Sequence, residues 1–486
     1  MSSSRSPRPS FWTVIALLAA AALAPSSPAA AEEKAGAPAP SYRIVLHDQA
    51  PYFEPHRLQV EPGSTVTWEN RGPGLIHTVV VASASGDVHS GALMPGKSWS
   101  YTFQGDAVVR ASCEIHPHMY GIVVVGRPPA SLIQAVESRV EPLGSPGLTV
   151  DVAEYPLPVP ASVPGVLAVD AHGDLWVTLG GGGWGNIAHP PLAKFAHFTA
   201  DGDLTVYDTP TPASGPSGLI LAPDGTLYLT LLMAGKIARF DPRSRTTREF
   251  SIPTDPAWPT GLALAADGSL WFNQTKGNKV ARLGPDGTIS EFPVPTEGAH
   301  PTGMGIDSRG RIWIAQRDAS KIACLSPDGN FVEYALPTPG AKPTGVLVDR
   351  QDRVWFAERE GNRIGVFSDG RIREFPLPNP RSGPFFLAEG PDGRIWFSEI
   401  FANRIGSLDP QSGEVVELAV PTPDSWPGGI AFDGQGGLWF TEQLGNKIGH
   451  IPDPAGAVRA FLAQKPAPGG PPGAPAPAGG HAGHPH

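Results

Sequence analysis

The chain has 486 residues and a net charge of −10 without any basic cluster, which excludes a nucleic-acid-binding surface of the usual electrostatic kind. Its 58 Gly and 56 Pro favour many short strands and tight turns over long helices. The length predicts more than one domain.

Residues 1–31, "MSSSRSPRPSFWTVIALLAAAALAPSSPAAA", read as a secretory signal with Arg5 and Arg8 ahead of an apolar run and a small-residue cleavage site near Ala31. The apolar run falls short of the roughly 20 residues a membrane-spanning helix needs. The expected mature chain is therefore periplasmic or secreted, with no membrane span. Residues 32–40 read as a linker.

Residues 41–126 alternate apolar and polar positions between turn signals, as in "SYRIVLHD", "STVTWEN" and "GIVVVG", and predict a small β-sandwich. The segment "ASCEIHPHMYGIVVV" places Cys113, His116 and Met119 at intervals of three residues, and His77 opens a strand upstream. A thiolate, two imidazoles and a distant thioether suit copper cycling between Cu(I) and Cu(II). A free thiol or a zinc site is the competing reading, although zinc seldom recruits Met and structural zinc sites normally use several Cys. His118 is read as a rim residue, and His47, His56 and His89 as turn or surface residues. These features resemble a cupredoxin of the short-loop amicyanin and plastocyanin type. The resemblance implies one type 1 copper site with ligands His77, Cys113, His116 and Met119, moving single electrons.

Residues 127–147 read as a linker with a turn or two of helix, and residues 148–464 as a repeat array. Aligned on Trp176, Tyr228, Trp271, Trp313, Trp355, Trp396 and Trp439, the units are spaced by 52, 43, 42, 42, 41 and 43 residues, with a Pro twelve residues before each aromatic. Such a period with four short strands per unit predicts a seven-bladed β-propeller. The fold class is thus all-β, a sandwich followed by a propeller. Both 148–158 and 457–464 are candidates for the closing outer strand. Cys324, in a repeated strand position, is expected to be a small buried thiol. The longer first unit, "GGGGWGNIAHPP", predicts a flap or docking loop. Residues 465–486, rich in Pro, Gly, Ala and His, have too little apolar content to fold.

The "P-x-G", "DG-x-LWF-x-E" and "N-K/R-I-G" signatures, as in "DGRIWFSEIFANRIGSL", resemble the virginiamycin B lyase family. That family implies a seven-bladed propeller and a lyase whose His residues lie in the P-x-G openings, beside acids that hold magnesium. Here the middle positions are Gly165, Ser217, Thr260, Thr302, Thr344, Phe385 and Gly428, none able to act as a base. A second polar series, Gln274, Gln316, Glu358, Glu399 and Glu442, lies three residues after the aromatic and forms an arc. It either binds a divalent cation or cationic substrate, or bonds locally to loop amides and to Arg363, Arg404 and Lys447.

The leading functional expectation is an exported electron-transfer protein whose propeller docks a redox partner protein or holds a small molecule. The alternative is a propeller enzyme, a metal-dependent lyase or hydrolase, with an accessory copper domain. A nitrous oxide reductase arrangement needs many propeller histidines. Here His172, His189, His197, His300 and His450 fall at what read as scattered positions.

Overall fold

The computed structural model describes residues 40–47, 53–55, 57–72, 77–81, 88–113, 120–137, 147–180, 182–183, 186–187, 191–199 and 202–464. The signal segment, the tail, and the loop carrying His116, His118 and Met119 lie outside the described residues, as do His56, Trp184 and His189. Apart from the helices Ala130–Glu137 and Pro454–Ala463, the described chain is built from strands and turns. The all-β expectation holds.

In the amino-terminal part, strands Phe53–Glu54, Ser41–Leu46, Thr65–Asn70 and Ser98–Thr102 form one sheet in that order. Strands Arg57–Val60, Tyr120–Val125, Ala107–Ser112, Val80–Val81 and Val88–His89 form the other. The period of two along Thr65–Asn70 turns Val66 and Trp68 to the same buried face. There they join Ile44 and Leu46 of their own sheet and Val109, Ala111, Val123 and Val125 of the other in one core.

The repeats form seven four-stranded sheets, here called blades I to VII in chain order of their aromatic residue, from Trp176 to Trp439. Blade VII takes its outer strand from the start of the array: Ala153–Pro156 pairs antiparallel with Lys447–Ile451, with Glu154 opposite Gly449. The other candidate segment is helical. Asp453 caps Pro454–Ala463 by accepting the Gly456 N–H at 2.8 Å, with Pro in the first turn, so local capping favours helix there. The extra residues of blade I include a short hairpin pairing Gly182–Gly183 with Asn186–Ile187.

Two repeated features follow from packing. The Gly of each P-x-G lies against the next inner strand: a Cβ on Gly261 would meet the Thr302 carbonyl at 2.4 Å, and one on Gly303 the Thr344 carbonyl at 2.1 Å. The blade Trp is a core residue whose indole N–H still needs an acceptor. Trp313, Trp355 and Trp439 donate to Asp307, Asp349 and Asp433 at 2.9, 2.7 and 2.9 Å. Where Gly390 replaces that Asp, the buried Trp396 N–H has no partner among the described residues.

Because backbone cannot yield cheaply around the axis, Gly303→Ala should lower the stability of the propeller by about 1–3 kcal/mol. Urea melts followed by Trp fluorescence would show it; an unchanged midpoint would mean that the inner strands move apart freely.

Candidate functional site

Two regions carry the chemistry: the Cys113 pocket and the face of the propeller at which the inner strands begin. Strand Val80–Val81 pairs with Ala107–Ser112, with Val80 opposite Ser112. This register brings the segment just before Val80 beside Cys113. The thiol is 2% exposed and His77 0%. Thr78 donates its backbone N–H to Cys113 Sγ at 3.3 Å, and its hydroxyl lies 3.6 Å from the same sulfur. Burial pushes the Cys113 thiol up, but a hydrogen bond and the charge of His77, with the two Thr78 donors, outweigh it and hold the thiol below its ordinary value. His77 is anchored by backbone bonds in both directions with Leu93, at 3.1 and 2.7 Å. Two of the four sequence-predicted ligands are thus brought together, and the donor pair fits a soft metal. His116 and Met119 fall outside the described residues.

The other described histidines of the amino-terminal module, and the second cysteine, are ordinary. His47 pairs with Glu54 at 3.0 Å, and His89 is exposed on an outer strand. Cys113 and Cys324 are not joined in a disulfide, and burial pushes Cys324 up to about 11, which makes it inert near neutrality.

On the propeller, the residue before each P-x-G takes a left-handed backbone: Val163, Gly215, Trp258, His300, Lys342, Gly383 and Trp426. These residues ring the opening face. Val163 and Trp426, together with Leu444, belong to the same buried cluster as the amino-terminal core, so the two modules touch across this face. Phe401 packs on Trp426 with ring centroids 5.9 Å apart. Farther round the ring, Trp258 is 38% exposed and Met233 41%. A cavity of about 160 Å³ on the inner strands is lined by residues such as Ser217, Thr260, Thr302, Thr344 and Phe385. No His or carboxylate is among its described lining residues, in agreement with the composition of the P-x-G positions.

Sequence reading passed over one pair here. His300 directly precedes the opening Pro301, and its Nδ1 lies 2.6 Å from Asp318 Oδ2, both side chains about one-third exposed. Arg317 bonds the other Asp318 oxygen at 2.9 Å. Burial pushes Asp318 up, yet Arg317 and His300 win and hold it below the usual carboxylate range. The signal was the motif "AHPTG", legible only as one His among several until the blades were superposed.

The polar arc does not converge. Gln274 and Gln316 are fully buried and donate their amides to Glu291 and Glu333 on their own outer strands, each at 2.7 Å. Each of those carboxylates also accepts from a Lys and from a Thr of the preceding loop: Lys279 and Thr254 for Glu291, Lys321 and Thr296 for Glu333. Although burial alone would raise it, these donors hold Glu333 down at about 2. In blades V, VI and VII the Gln is replaced by Glu358, Glu399 and Glu442, which are 0% exposed and face Glu374, Glu417 and Glu154. An ionised carboxylate cannot donate as the Gln amide does, so these residues fit as neutral acids. Burial, reinforced by the facing carboxylate, pushes Glu358 up to about 8, Glu442 up to about 7 and Glu399 upward. The arc's side chains thus lie against outer-strand carboxylates, two of which, Glu417 and Glu154, also accept from Arg404 and Lys447 at 2.5 and 2.6 Å.

Comparison with known proteins agrees with the propeller fold. The family described as "Virginiamycin B lyase family" matches residues 152–370 and 365–475. Among solved structures, a selenomethionine-substituted virginiamycin B lyase from Staphylococcus aureus is 28% identical, covering 62% of this chain and 98% of its own at a TM-score of 0.57. A streptogramin B lyase is also 28% identical, covering 63% of this chain and 99% of its own at a TM-score of 0.58. A catalytically inactive His→Ala variant of the Staphylococcus aureus virginiamycin B lyase, solved with quinupristin, matches at 28% identity over 62% of this chain and 98% of its own, with a TM-score of 0.57. No curated protein matches the chain. Among the described residues no helix is long and apolar enough to cross a membrane.

The neutral acids give a pH dependence. Unfolded, they lose their protons near 4.5, whereas folded Glu358 keeps its proton to about 8 and Glu442 to about 7. Between those limits the folded chain binds more protons than the unfolded one, so stability falls as pH rises. Glu358→Gln combined with Glu442→Gln should flatten that slope and raise Tm at pH 8 by about 2 °C or more. Differential scanning calorimetry at pH 5 and pH 8 checks it; parallel slopes in variant and parent would refute the neutral acids.

Proposed function

The chain belongs to the virginiamycin B lyase family, and from the amino-terminal module, which that family does not cover, we propose that it is an exported copper-binding electron-transfer protein whose propeller is a docking or ligand-binding scaffold. The observation that carries this reading is the Cys113 sulfur, 2% exposed, receiving the Thr78 N–H at 3.3 Å beside a fully buried His77. The amino-terminal pair of sheets is read as a cupredoxin sandwich, with His77, Cys113, His116 and Met119 as the residues that would hold copper. Bound copper supplies one-electron chemistry to such a thiolate–imidazole set. The chain's own part is to favour the thiolate through His77 and the Thr78 donors, aim the sulfur and exclude water from it. A redox partner protein would meet the module from outside.

Loading the full mature chain with Cu(II) should give one equivalent with an intense visible thiolate-to-copper band. Cys113→Ser should abolish the band. A colourless copper complex of the parent protein would sink the electron-transfer reading.

The comparisons favour a second reading more directly: a propeller enzyme of the streptogramin lyase kind, with the copper module as an accessory. Ring-opening elimination needs a base on the substrate-facing side. The P-x-G positions supply none, but His300, oriented through Nδ1 by Asp318, leaves Nε2 to accept a proton. A divalent cation in the propeller would belong to this reading. Incubation with quinupristin should then yield linearised product with the parent and with Cys113→Ser, and at least a hundredfold less with His300→Ala. Failure of the parent to open quinupristin would remove streptogramin-lyase activity from consideration.

A further inference from the structure

The seven blades share one register, so each position in blade I has counterparts that serve as internal controls. In blades IV and V the turn carboxylates Asp307 and Asp349 have side chains 1% and 0% exposed. Each is neutralised by the Arg four residues later: Arg311 Nε lies 2.7 Å from Asp307, and Arg353 Nε 2.6 Å from Asp349. The residue opposite the Trp on the next strand is Cys324 in blade IV and Val366 in blade V, neither of them charged there.

Blade I departs from this at both positions. The turn residue is again an acid, Asp170, but the Arg position holds Asp174, and the residue opposite Trp176 is His197. A fixed cation has been replaced by an anion, and an imidazole has been added. Donor atoms of Asp170, Asp174 and His197 all lie within 4.8 Å of one another. His197 Nε2 is 3.1 Å from Asp174 Oδ2, with the two side chains about one-fifth exposed. The imidazole is held flat against Trp176, centroids 4.2 Å apart and planes at 24°. Asp170 uses Oδ1 to accept the backbone N–H groups of His172 and Asp174 at 2.8 and 3.0 Å, which fixes its carboxylate.

Blade VII isolates the contribution of position 174. It too has the acid and the imidazole, Asp433 and His450, with His450 stacked on Trp439 at 3.9 Å. At the position of Asp174 it has Gly437, so a third donor is lacking. The two histidines that read as scattered along the sequence are equivalent in the fold, and in blade I a second carboxylate stands beside the pair.

We propose that Asp170, Asp174 and His197 form a binding site for a first-row divalent cation. Two carboxylate oxygens and one imidazole nitrogen are the donor set of Zn²⁺ and Mn²⁺ sites that keep water in their remaining positions. The ion replaces the guanidinium of the sister blades. It joins the turn before strand Leu175–Leu179 to strand Lys194–Phe198, bracing the blade whose first long connection carries the extra residues.

The test is calorimetric titration of the chelator-stripped full chain with Zn²⁺ and, separately, Mn²⁺, for the parent, Asp174→Arg and His197→Gln. Arg at 174 reproduces Arg311 and Arg353, so the fold has a precedent for it. The Cys113 pocket and the histidines of the tail contribute equally in all three proteins, so the difference isolates this site. The expected result is one equivalent fewer of at least one of the two ions in both variants, and a metal-dependent rise in Tm that Asp174→Arg loses. Equal stoichiometry in the parent and a folded Asp174→Arg, for both ions, would overturn the site. If Asp174→Arg fails to fold, equal stoichiometry in His197→Gln does the same.

Discussion

The ring depends on a carboxylate enclosed between neighbouring blades. Glu249, Glu291, Glu333 and Glu374 each accept the hydroxyl of a Thr from the loop before their own blade: Thr211, Thr254, Thr296 and Thr338. A Lys on the adjacent strand completes the clasp in blades II, III and IV. A buried charge is tolerable only when paired and hydrogen-bonded, so each clasp fixes how one blade meets the next. The ring closes by the same chemistry, because Glu154, from the first strand of the array, takes Thr422 and Lys447 at 2.8 and 2.6 Å. Closure across nearly 300 residues of chain therefore needs no interaction that the blades do not already use.

Once the scaffold is repetitive, chemistry resides in its departures from repetition. Gln becomes Glu in three consecutive blades, where burial beside an outer-strand carboxylate favours the neutral acid. Arg becomes Asp beside Asp170, and a cation is required from elsewhere. His300 stands where the other openings carry Val163, Gly215, Trp258, Lys342, Gly383 and Trp426, and it meets Asp318. Each of these changes is a single residue, and each is interpretable only because the other blades show what the position ordinarily does.

The two modules meet on the face where these openings lie. Val163 and Trp426 point into the cluster that also holds Ile44, Leu46 and Trp68, so the amino-terminal core continues into blades I and VII. The other side of the same face, with Trp258 and Met233, remains exposed. A ligand approaching the propeller there would meet the opening face away from the contact with the smaller module. That arrangement relates the two functional readings spatially without making either depend on the other.

The amino-acid sequence by itself made the blade number and the strand order within a blade legible, because turn chemistry and period are local properties. It left the closing strand open: 148–158 and 457–464 both have a suitable apolar pattern, and only the free edge of Lys447–Ile451 together with the Asp453 cap distinguishes them. It could not show that the Gln and Glu arc turns toward outer-strand carboxylates, since those lie 16 or 17 residues onward in blades III, IV and V and 288 back in blade VII. Nor could it join His300 to Asp318, or Asp170 to His197. Those pairs exist because antiparallel strands return the chain to the same place, and that distance in space is set by the fold alone.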